Sequence, residues 1–328
     1  MRTVSDKLAR FIQRNLERYS PSFWAMEGKH HFNFFPELTS DNLVYLCPLC
    51  RAHHIFQKGN ELFWSTEFTM DHYPPSSVGG KNKALVCKSC NNTLGSIIDS
   101  HLPSGLRARR FFERKGPMPM TLSVNKIGNY KLTGSFEDGK LSLKENHRNS
   151  NLMQVMKLAA GKMSDGGEPF IMNMRGAFPG EALVSKALLK AAFLQFFSWA
   201  GYDFAFSHTA KKIREVLNGT TDHPLNNQGV FGRVTGANLS DGVYALTTDN
   251  FPKSFFCHVT FTDPFSKQLV NNIVLIPFNT EKAWEGQVGF NKFLQDTLVN
   301  WTFLRYNNQT FDATQPSPYS AETLRLSR

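Results

Sequence analysis

Four of the five cysteines fall into two Cys-x-x-Cys pairs, Cys47-Pro-Leu-Cys50 and Cys87-Lys-Ser-Cys90. Each short turn aims two thiolates at a common point, and one pair alone cannot supply the four ligands of a tetrahedral zinc ion. Structural disulfides and thioredoxin-like redox pairs are the alternatives. A cytoplasmic chain argues against disulfides, and a redox pair needs no second Cys-x-x-Cys. We therefore predict one structural Zn²⁺ held by all four thiolates.

The neighbourhood of these cysteines supports that prediction. A four-thiolate zinc site carries a net charge of about −2, and Arg51 and Lys88 adjoin the cysteines in sequence and are expected to offset it. Cys257 stands alone in an apolar, strand-like run and is expected to be a small core residue. A four-cysteine site by itself defines only a stapled module, so the residues between the pairs must indicate the chemistry.

Between the pairs, a strand-like run ends on two titratable side chains. Residues 61–72, ELFWSTEFTMDH, alternate between apolar and polar side chains. The two prolines at positions 74 and 75 cannot continue a hydrogen-bonded ladder. We therefore expect the strand to stop at Asp71 and His72.

A second strand and a helix are predicted to follow this pair. The loop contains Gly79 and Gly80, and ALVC is a short strand that runs into the second cysteine pair. The segment NNTLGSIIDSHL predicts a helix that begins at Asn91 or Asn92 and ends before Pro103. The predicted order is strand, loop, strand and helix, with zinc at the base.

This stretch, from about Leu43 to Ser100, resembles the HNH nucleases of the ββα-metal class in their four-cysteine variety. The resemblance rests on CPLC, MDHYPPSSVGG and LVCKSCNNTLGSIID. The family pattern has an Asp/Glu-His pair at the end of the first strand, a Pro and a Gly-Gly after it, and His or Asn after the last cysteine. Here that last position is Asn91.

The resemblance implies that Asp71 and Asn91 hold one catalytic Mg²⁺ or Mn²⁺ and that His72 is the general base. It also implies products with 5′-phosphate and 3′-hydroxyl ends. Many members place an asparagine before the second cysteine pair to orient the base, and Asn82 is the nearest candidate here. Many also carry a third metal ligand one helical turn beyond the first, where this chain has Gly95.

These roles also make chemical sense without the resemblance. Hydrolysis of an anionic phosphodiester needs a hard cation to neutralise the charge that builds on the phosphate. Imidazole, with an ordinary pKa of ~6.5, is largely free at neutral pH to take a proton from the attacking water. The alternatives are purely structural roles, in which Asp71 and His72 make only turn contacts and Asn91 is only a helix N-cap.

The basic character of the chain favours a polyanionic partner. The formal net charge is +10, and residues 1–115 hold 16 Lys and Arg against 10 Asp and Glu. The run RARRFFERK, as a helix, would show Arg107, Arg110 and Arg114 on one side as a clamp for the phosphate backbone. The alternative is a solvated basic face anchored by Phe111 and Phe112.

The whole chain is predicted to be an α+β protein with an N-terminal amphipathic helix capped by Ser5. Four segments are expected: a helix and aromatic segment, a zinc-stapled ββα-metal module, a larger α+β domain, and a polar tail (1–40, 41–115, 116–306 and 307–328). The α+β domain should contain a three-stranded meander, a core helix, an amphipathic helix, three later strands and a final helix (121–145, 181–200, 208–219, 242–249, 254–262, 268–278 and 290–304).

Taken together, the sequence predicts a cytoplasmic DNA endonuclease of bacterial defence or a mobile element. The first residues do not resemble a signal peptide, and the longest apolar run is too short and too polar to span a bilayer. The alternatives are a zinc-ribbon nucleic-acid-binding module without catalysis and an RNA nuclease. Nothing in the sequence tells whether a protein partner or a second copy is needed.

Overall fold

The computed structural model confirms an α+β fold that begins with a long helix. It describes residues 5–30, 34–124, 128–145, 154, 157, 172–176, 181–219, 231–233, 242–248, 251–277 and 303–306. The helices within these ranges are α1 Asp6–His30, α2 Lys88–Leu94, α3 His101–Phe112, α4 Glu181–Ala205 and α5 His208–Leu217. A π-helical segment, Gly95–Asp99, follows α2.

All of the described strands pair in an antiparallel manner. The first five are β1 Leu43–Leu46, β2 His54–Lys58, β3 Glu61–Trp64, β4 Phe68–Tyr73 and β5 Asn82–Cys87. The next four are β6 Met118–Val124, β7 Gly128–Glu137, β8 Lys140–Glu145 and β9 Met172–Gly176. The last five are β10 Phe231–Arg233, β11 Gly242–Thr248, β12 Phe251–Thr262, β13 Leu269–Pro277 and β14 Phe303–Tyr306. They form four sheets, ordered β1-β2-β3, β4-β5, β8-β7-β6-β9 and β10-β13-β12-β11-β14.

The chain divides into two compact units. Unit 1 comprises residues 1–100 and 181–328, and unit 2 comprises residues 101–180. The predicted domain limits after residues 40, 115 and 306 do not coincide with these. The difference arises because the first hundred residues pack against α4. This helix is distant in sequence, and it was predicted to belong to the separate α+β domain.

Unit 1 is built around α4 and α1. The N-terminal helix is capped as predicted, since the Leu8 amide donates to Ser5 Oγ at 3.4 Å. The Tyr19 ring on α1 stacks on Phe197 of α4, with ring centroids 4.7 Å apart. The hydroxyl of Tyr202, also on α4, donates to the Leu46 carbonyl at 2.8 Å. Aromatic packing therefore joins the N-terminal segment to the helix that follows unit 2.

Unit 2 contains α3 and the four-stranded sheet. The predicted meander is confirmed as β6, β7 and β8, and a strand that was not predicted, β9, pairs with β6. One apolar cluster joins the helix to the sheet, made of Ala108, Phe111, Met118, Met120, Leu122 and Leu132.

Three expectations about element limits are wrong. Residues 61–72 form parts of two strands in different sheets, β3 and β4, rather than one. Pro103 does not end a helix, because it lies in the first turn of α3, where the amide that proline lacks would have no intrahelical partner. Phe303 and Leu304, predicted to be helical, lie in β14; the rest of the predicted helix, and the tail from residue 307, lie outside the described residues.

The remaining predicted elements of the second half of the chain are confirmed. The core helix, the amphipathic helix and the three strands correspond to α4, α5, β11, β12 and β13. Among the described helices, none is long and apolar enough to cross a membrane.

Candidate functional site

The four paired cysteines lie together in unit 1. Their sulfur atoms are all within 4.8 Å of one another, and Cys50 Sγ lies 3.8 Å from Cys87 Sγ. No disulfide links them, so the predicted disulfide alternative is excluded for this structure. The first pair occupies the turn between β1 and β2, and the second bridges the end of β5 and the first turn of α2. The cluster can hold one metal ion.

Backbone amides donate hydrogen bonds to the sulfur atoms of this cluster. The amides of Cys87 and Cys90 donate to Cys47 Sγ and Cys87 Sγ, each at 3.4 Å. Burial raises the pKa of the Cys47 thiol, whereas hydrogen bonding to Cys47 lowers the pKa of Cys87 to about 6. The cluster therefore favours thiolate at some positions even without an ion.

Of the two expected counter-charges, Arg51 interacts with the cluster and Lys88 forms an ion pair elsewhere. Lys88 pairs instead with the exposed carboxylate of Glu67, at 2.6 Å. The Arg51 guanidinium lies over the Phe206 ring. Burial lowers the pKa of Arg51, and attraction to the charge of Cys50 acts to raise it. Arg214 on α5, which was not predicted from the sequence, is also buried near the cluster. Burial and repulsion from Arg51 lower the pKa of Arg214 to about 9, whereas the negative charges of Cys50 and Cys47 act to raise it.

The loop between β4 and β5 is closed by its two glycines. Gly79 has φ +78°, a left-handed backbone conformation that residues other than glycine rarely adopt. At Gly80 a Cβ would lie 1.6 Å from the Pro74 carbonyl oxygen, so only glycine fits. The close approach of the two ends of this loop therefore explains the Gly-Gly sequence.

Asp71 and His72 leave β4 on opposite faces. The strand continues through Tyr73, one residue beyond the predicted stop, and pairs Asp71 with Ala84 and His72 with Lys83. Asp71 is buried, whereas His72 is half-buried. Burial and the charge of Lys83 lower the pKa of His72, so the imidazole is neutral at pH 7. The expectation that the strand stops at this pair is therefore wrong by one residue, and regular pairing keeps the two side chains on opposite faces.

Nothing among the described residues orients the His72 ring by a hydrogen bond. Asn82, the residue predicted as the nearest candidate, stands opposite Tyr73. Cross-strand partners share a face, so Asn82 faces the side of the hairpin away from His72.

Asn91 is not the N-cap of its helix. Helix α2 begins at Lys88, and Cys87 is the N-cap, with its sulfur accepting from the Cys90 amide. The Asn91 side chain is half-buried and forms no hydrogen bond with the part of the chain that the structure describes. Its amide oxygen is therefore available, on a helix that packs against both β4 and β5.

Asp71 takes part in a buried ionic cluster that was not predicted from the sequence. Lys190 Nζ on α4 lies 2.7 Å from Asp71 Oδ2 and 2.6 Å from Asp99 Oδ2. The side chains of Lys190, Asp71 and Asp99 are only 2%, 5% and 12% exposed. Within the described part of the chain, no donor contacts the other oxygen, Asp71 Oδ1.

The electrostatics of this cluster keep the lysine charged. Burial alone would lower the pKa of Lys190, but Asp71 and Asp99 outweigh that effect and raise it. Burial raises the pKa of Asp99 to about 6, Lys190 opposes the rise, and Asp71 adds to it. With both carboxylates ionised, the cluster carries one net negative charge.

The three arginines predicted to contact DNA do not lie on one helical face. Arg107 and Arg110 are on α3, but the helix ends at Phe112, and Arg114 has φ +59°. The Arg114 guanidinium lies over the Phe136 ring, and Arg110 donates to the Lys115 carbonyl at 2.7 Å. Their role in DNA binding stays a prediction.

Comparison of this chain with protein-family models, with curated proteins and with solved structures gave no match. The site must therefore be interpreted from its own residues. Lys190 could have been suspected from the sequence, because a lysine inside a helix that is apolar all round requires a buried carboxylate partner, but the sequence does not identify that partner as Asp71 or Asp99.

Proposed function

We propose that this protein is a metal-dependent endonuclease of the HNH family that hydrolyses DNA phosphodiester bonds. The observation that carries the proposal is a pair of oxygen atoms that could bind a metal ion, one on Asp71 of β4 and one on Asn91 of α2, two elements that pack together. Neither Asp71 Oδ1 nor the Asn91 side chain is hydrogen-bonded to a described residue. The succession of β4, loop, β5 and α2, with four cysteines at its base, supports the same assignment.

The ion in the cysteine cluster is assigned as zinc. A tetrahedral zinc with Zn–S distances of about 2.3 Å would place its sulfur ligands about 3.8 Å apart. Cys50 Sγ and Cys87 Sγ are separated by that distance, 3.8 Å. An open cluster of thiols at this spacing fits zinc and does not fit a disulfide, whose S–S distance is about 2.05 Å.

The catalytic cation would be held by Asp71 and Asn91. Hard oxygen ligands from a carboxylate and an amide suit Mg²⁺ or Mn²⁺. When bound, such a cation would neutralise charge on the phosphate and stabilise the leaving oxygen. His72, neutral at pH 7 and half-exposed, would take the proton of the attacking water at an imidazole nitrogen.

A second function is a nucleic-acid-binding module without catalysis. One observation favours it: Asp71 is paired with Lys190 and faces away from His72. In such a module, the ion pair would only hold the core together. An RNA nuclease is the third candidate function. Cleavage assays with DNA and with RNA distinguish it from a DNA nuclease.

His72→Ala tests the proposal against the binding module. Cleavage of plasmid DNA with Mn²⁺ should fall by about 10²- to 10⁴-fold, the contribution of a positioned general base. Zinc content, circular dichroism and DNA affinity should stay unchanged, because His72 lies outside the cysteine cluster. The matched control, His101→Ala in unit 2, should cut as fast as the parent.

The outcomes separate the three functions. Equal cleavage by His72→Ala and the parent would remove the assigned base. A parent that binds DNA but cuts neither DNA nor RNA with Mg²⁺ or Mn²⁺ would favour the module without catalysis. Faster cutting of RNA than of DNA would change the substrate class and leave the mechanism in place.

A further inference from the structure

We propose that Lys190 is a positioning residue that anchors Asp71 through Oδ2 and leaves Oδ1 for the catalytic cation, with Asp99 holding Lys190 in place. This inference rests on the proposed function and names a further part of the same site. It assigns a task to helix α4, which enters unit 1 after unit 2 and contributes no residue to the proposed ligand set.

The geometry separates the two oxygens of Asp71. Lys190 Nζ contacts Oδ2 at 2.7 Å, and no described donor contacts Oδ1. A carboxylate with one oxygen fixed cannot rotate freely, so the direction of the other oxygen is also set. The contact is an ion pair, because Asp71 Oδ2 has no hydrogen-bond partner of standard geometry among the described residues, and ligating carboxylates in metal sites are commonly oriented by a supporting group.

The depth of Lys190 favours anchoring over competition with the cation. Its side chain is 2% exposed, the least of the three members of the cluster. A cation that must also contact water and a phosphodiester has to lie on the solvent side of Asp71. Asn91, the other proposed ligand, is more exposed than Asp71. The ammonium therefore lies on the protein side of the carboxylate.

Asp99, the second partner of Lys190, lies in an irregular helical segment. The π-helical segment closes with a hydrogen bond from the Ser100 amide to the Gly95 carbonyl, at 3.2 Å. Such segments are rare and are frequent at functional sites. Asp99, at the end of this segment, contacts Lys190 Nζ at 2.6 Å. The lysine is thus fixed by carboxylates from two different elements.

The sharpest test removes the anchor without changing the charge of the cluster. Lys190→Met alone would leave two unpaired buried carboxylates and could prevent folding. The double variant Lys190→Met with Asp99→Asn keeps the net charge at −1, the value in the parent. Asp71 then stands alone, free to rotate, in an equally charged environment.

The measurement is Mn²⁺ binding, read from the signal of the free ion in electron paramagnetic resonance on zinc-loaded protein. The double variant should bind Mn²⁺ about 10- to 100-fold more weakly than the parent, the usual loss for such a supporting group. Lys190→Arg, which keeps a cation between the carboxylates, should retain binding. Lys186→Met, the same change one helical turn earlier on α4, should bind as the parent does.

Each outcome decides between the ideas. Unchanged or tighter Mn²⁺ binding by the double variant would overturn the anchoring role; tighter binding would mean that the ammonium stands in the place of the cation. Loss of binding in Lys190→Arg as well would show that the site needs the exact lysine geometry and would overturn anchoring by charge. If the parent shows no Mn²⁺ binding that Asp71→Asn removes, the proposed function falls together with this inference.

Discussion

Asp71 combines a buried ion pair with an oxygen that the proposed function would use. Its Oδ2 belongs to an ion pair that is almost fully buried, and its Oδ1 has no described partner. Breaking a buried pair by removing one partner typically costs about 3–5 kcal/mol. Substitutions of Asp71 are therefore expected to change stability whether or not they change activity, so each variant needs a folding measurement beside its rate.

The cysteine cluster leads to a prediction about metal content. The purified chain should contain about one zinc, and Cys87→Ser should lose that zinc and most of the cooperative unfolding of unit 1, because such sites supply folding free energy directly. Elemental analysis and thermal denaturation measure the two effects.

Cys257 provides the matched control for this experiment. It is buried in β12, away from the cluster, and its thiol donates to the Ala192 carbonyl. Cys257→Ala should keep the zinc. A well-folded, zinc-free parent with reactive thiols would contradict the assignment.

Residue types and spacing predicted the cysteine cluster because its ligands come from two short turns with a fixed spacing. They did not predict the Asp71–Lys190–Asp99 cluster, because its members come from three elements as much as 119 residues apart in sequence. Only packing of α4 against β4 and the π-helical segment brings these charges together. A contact of this kind carries no local pattern.

At the scale of elements, strands and helices with a clear period were predicted well, and the interruptions were not. The meander of unit 2 and strands β11 to β13 follow their alternation. The break between β3 and β4 was missed because Trp64 and Phe68 lie on the same face of a period-two pattern, although Ser65 to Glu67 are all polar and interrupt it. The start of α2 was placed too late because a cysteine sulfur, and not an asparagine, caps it.

The loop between β4 and β5 gives a prediction at this scale. Gly80→Ala should lower the free energy of unfolding by about 1–3 kcal/mol or more, because the added Cβ would overlap the Pro74 carbonyl. Denaturant titration of both proteins measures the difference.

Gly95→Ala is the matched control, since the nearest atom to its Cβ would be Asp99 Oδ2 at 4.0 Å. This glycine is helical, so alanine should be neutral or stabilising by up to about 1 kcal/mol. Equal effects of the two substitutions would show that the close approach at Gly80 does not restrict the loop.

At the scale of the whole molecule, the net charge of +10 favours binding to a polyanion. We expect the affinity for DNA to fall steeply with salt, as binding through phosphate contacts requires. Replacing Arg107, Arg110 and Arg114 together with Ala should reduce the slope of log K against log salt by up to about 3, near 0.9 for each lost contact. Fluorescence anisotropy at several salt concentrations measures this slope.

The control removes the same charge from the same unit. Lys131, Lys140 and Lys144 belong to the sheet of unit 2, and their joint replacement by Ala should change the slope less. Equal slopes for the arginine variant and the parent would place the DNA contacts elsewhere in the chain.

The division of unit 1 by 80 residues of unit 2 sets an order of events during synthesis. All four clustered cysteines leave the ribosome well before α4. At about 5–20 residues per second, the intervening segment takes roughly 4 to 16 s to translate. If the cluster binds zinc as proposed, the nascent chain could capture it before Lys190 is made, so metal loading and completion of the Asp71 environment would be separate steps of biogenesis.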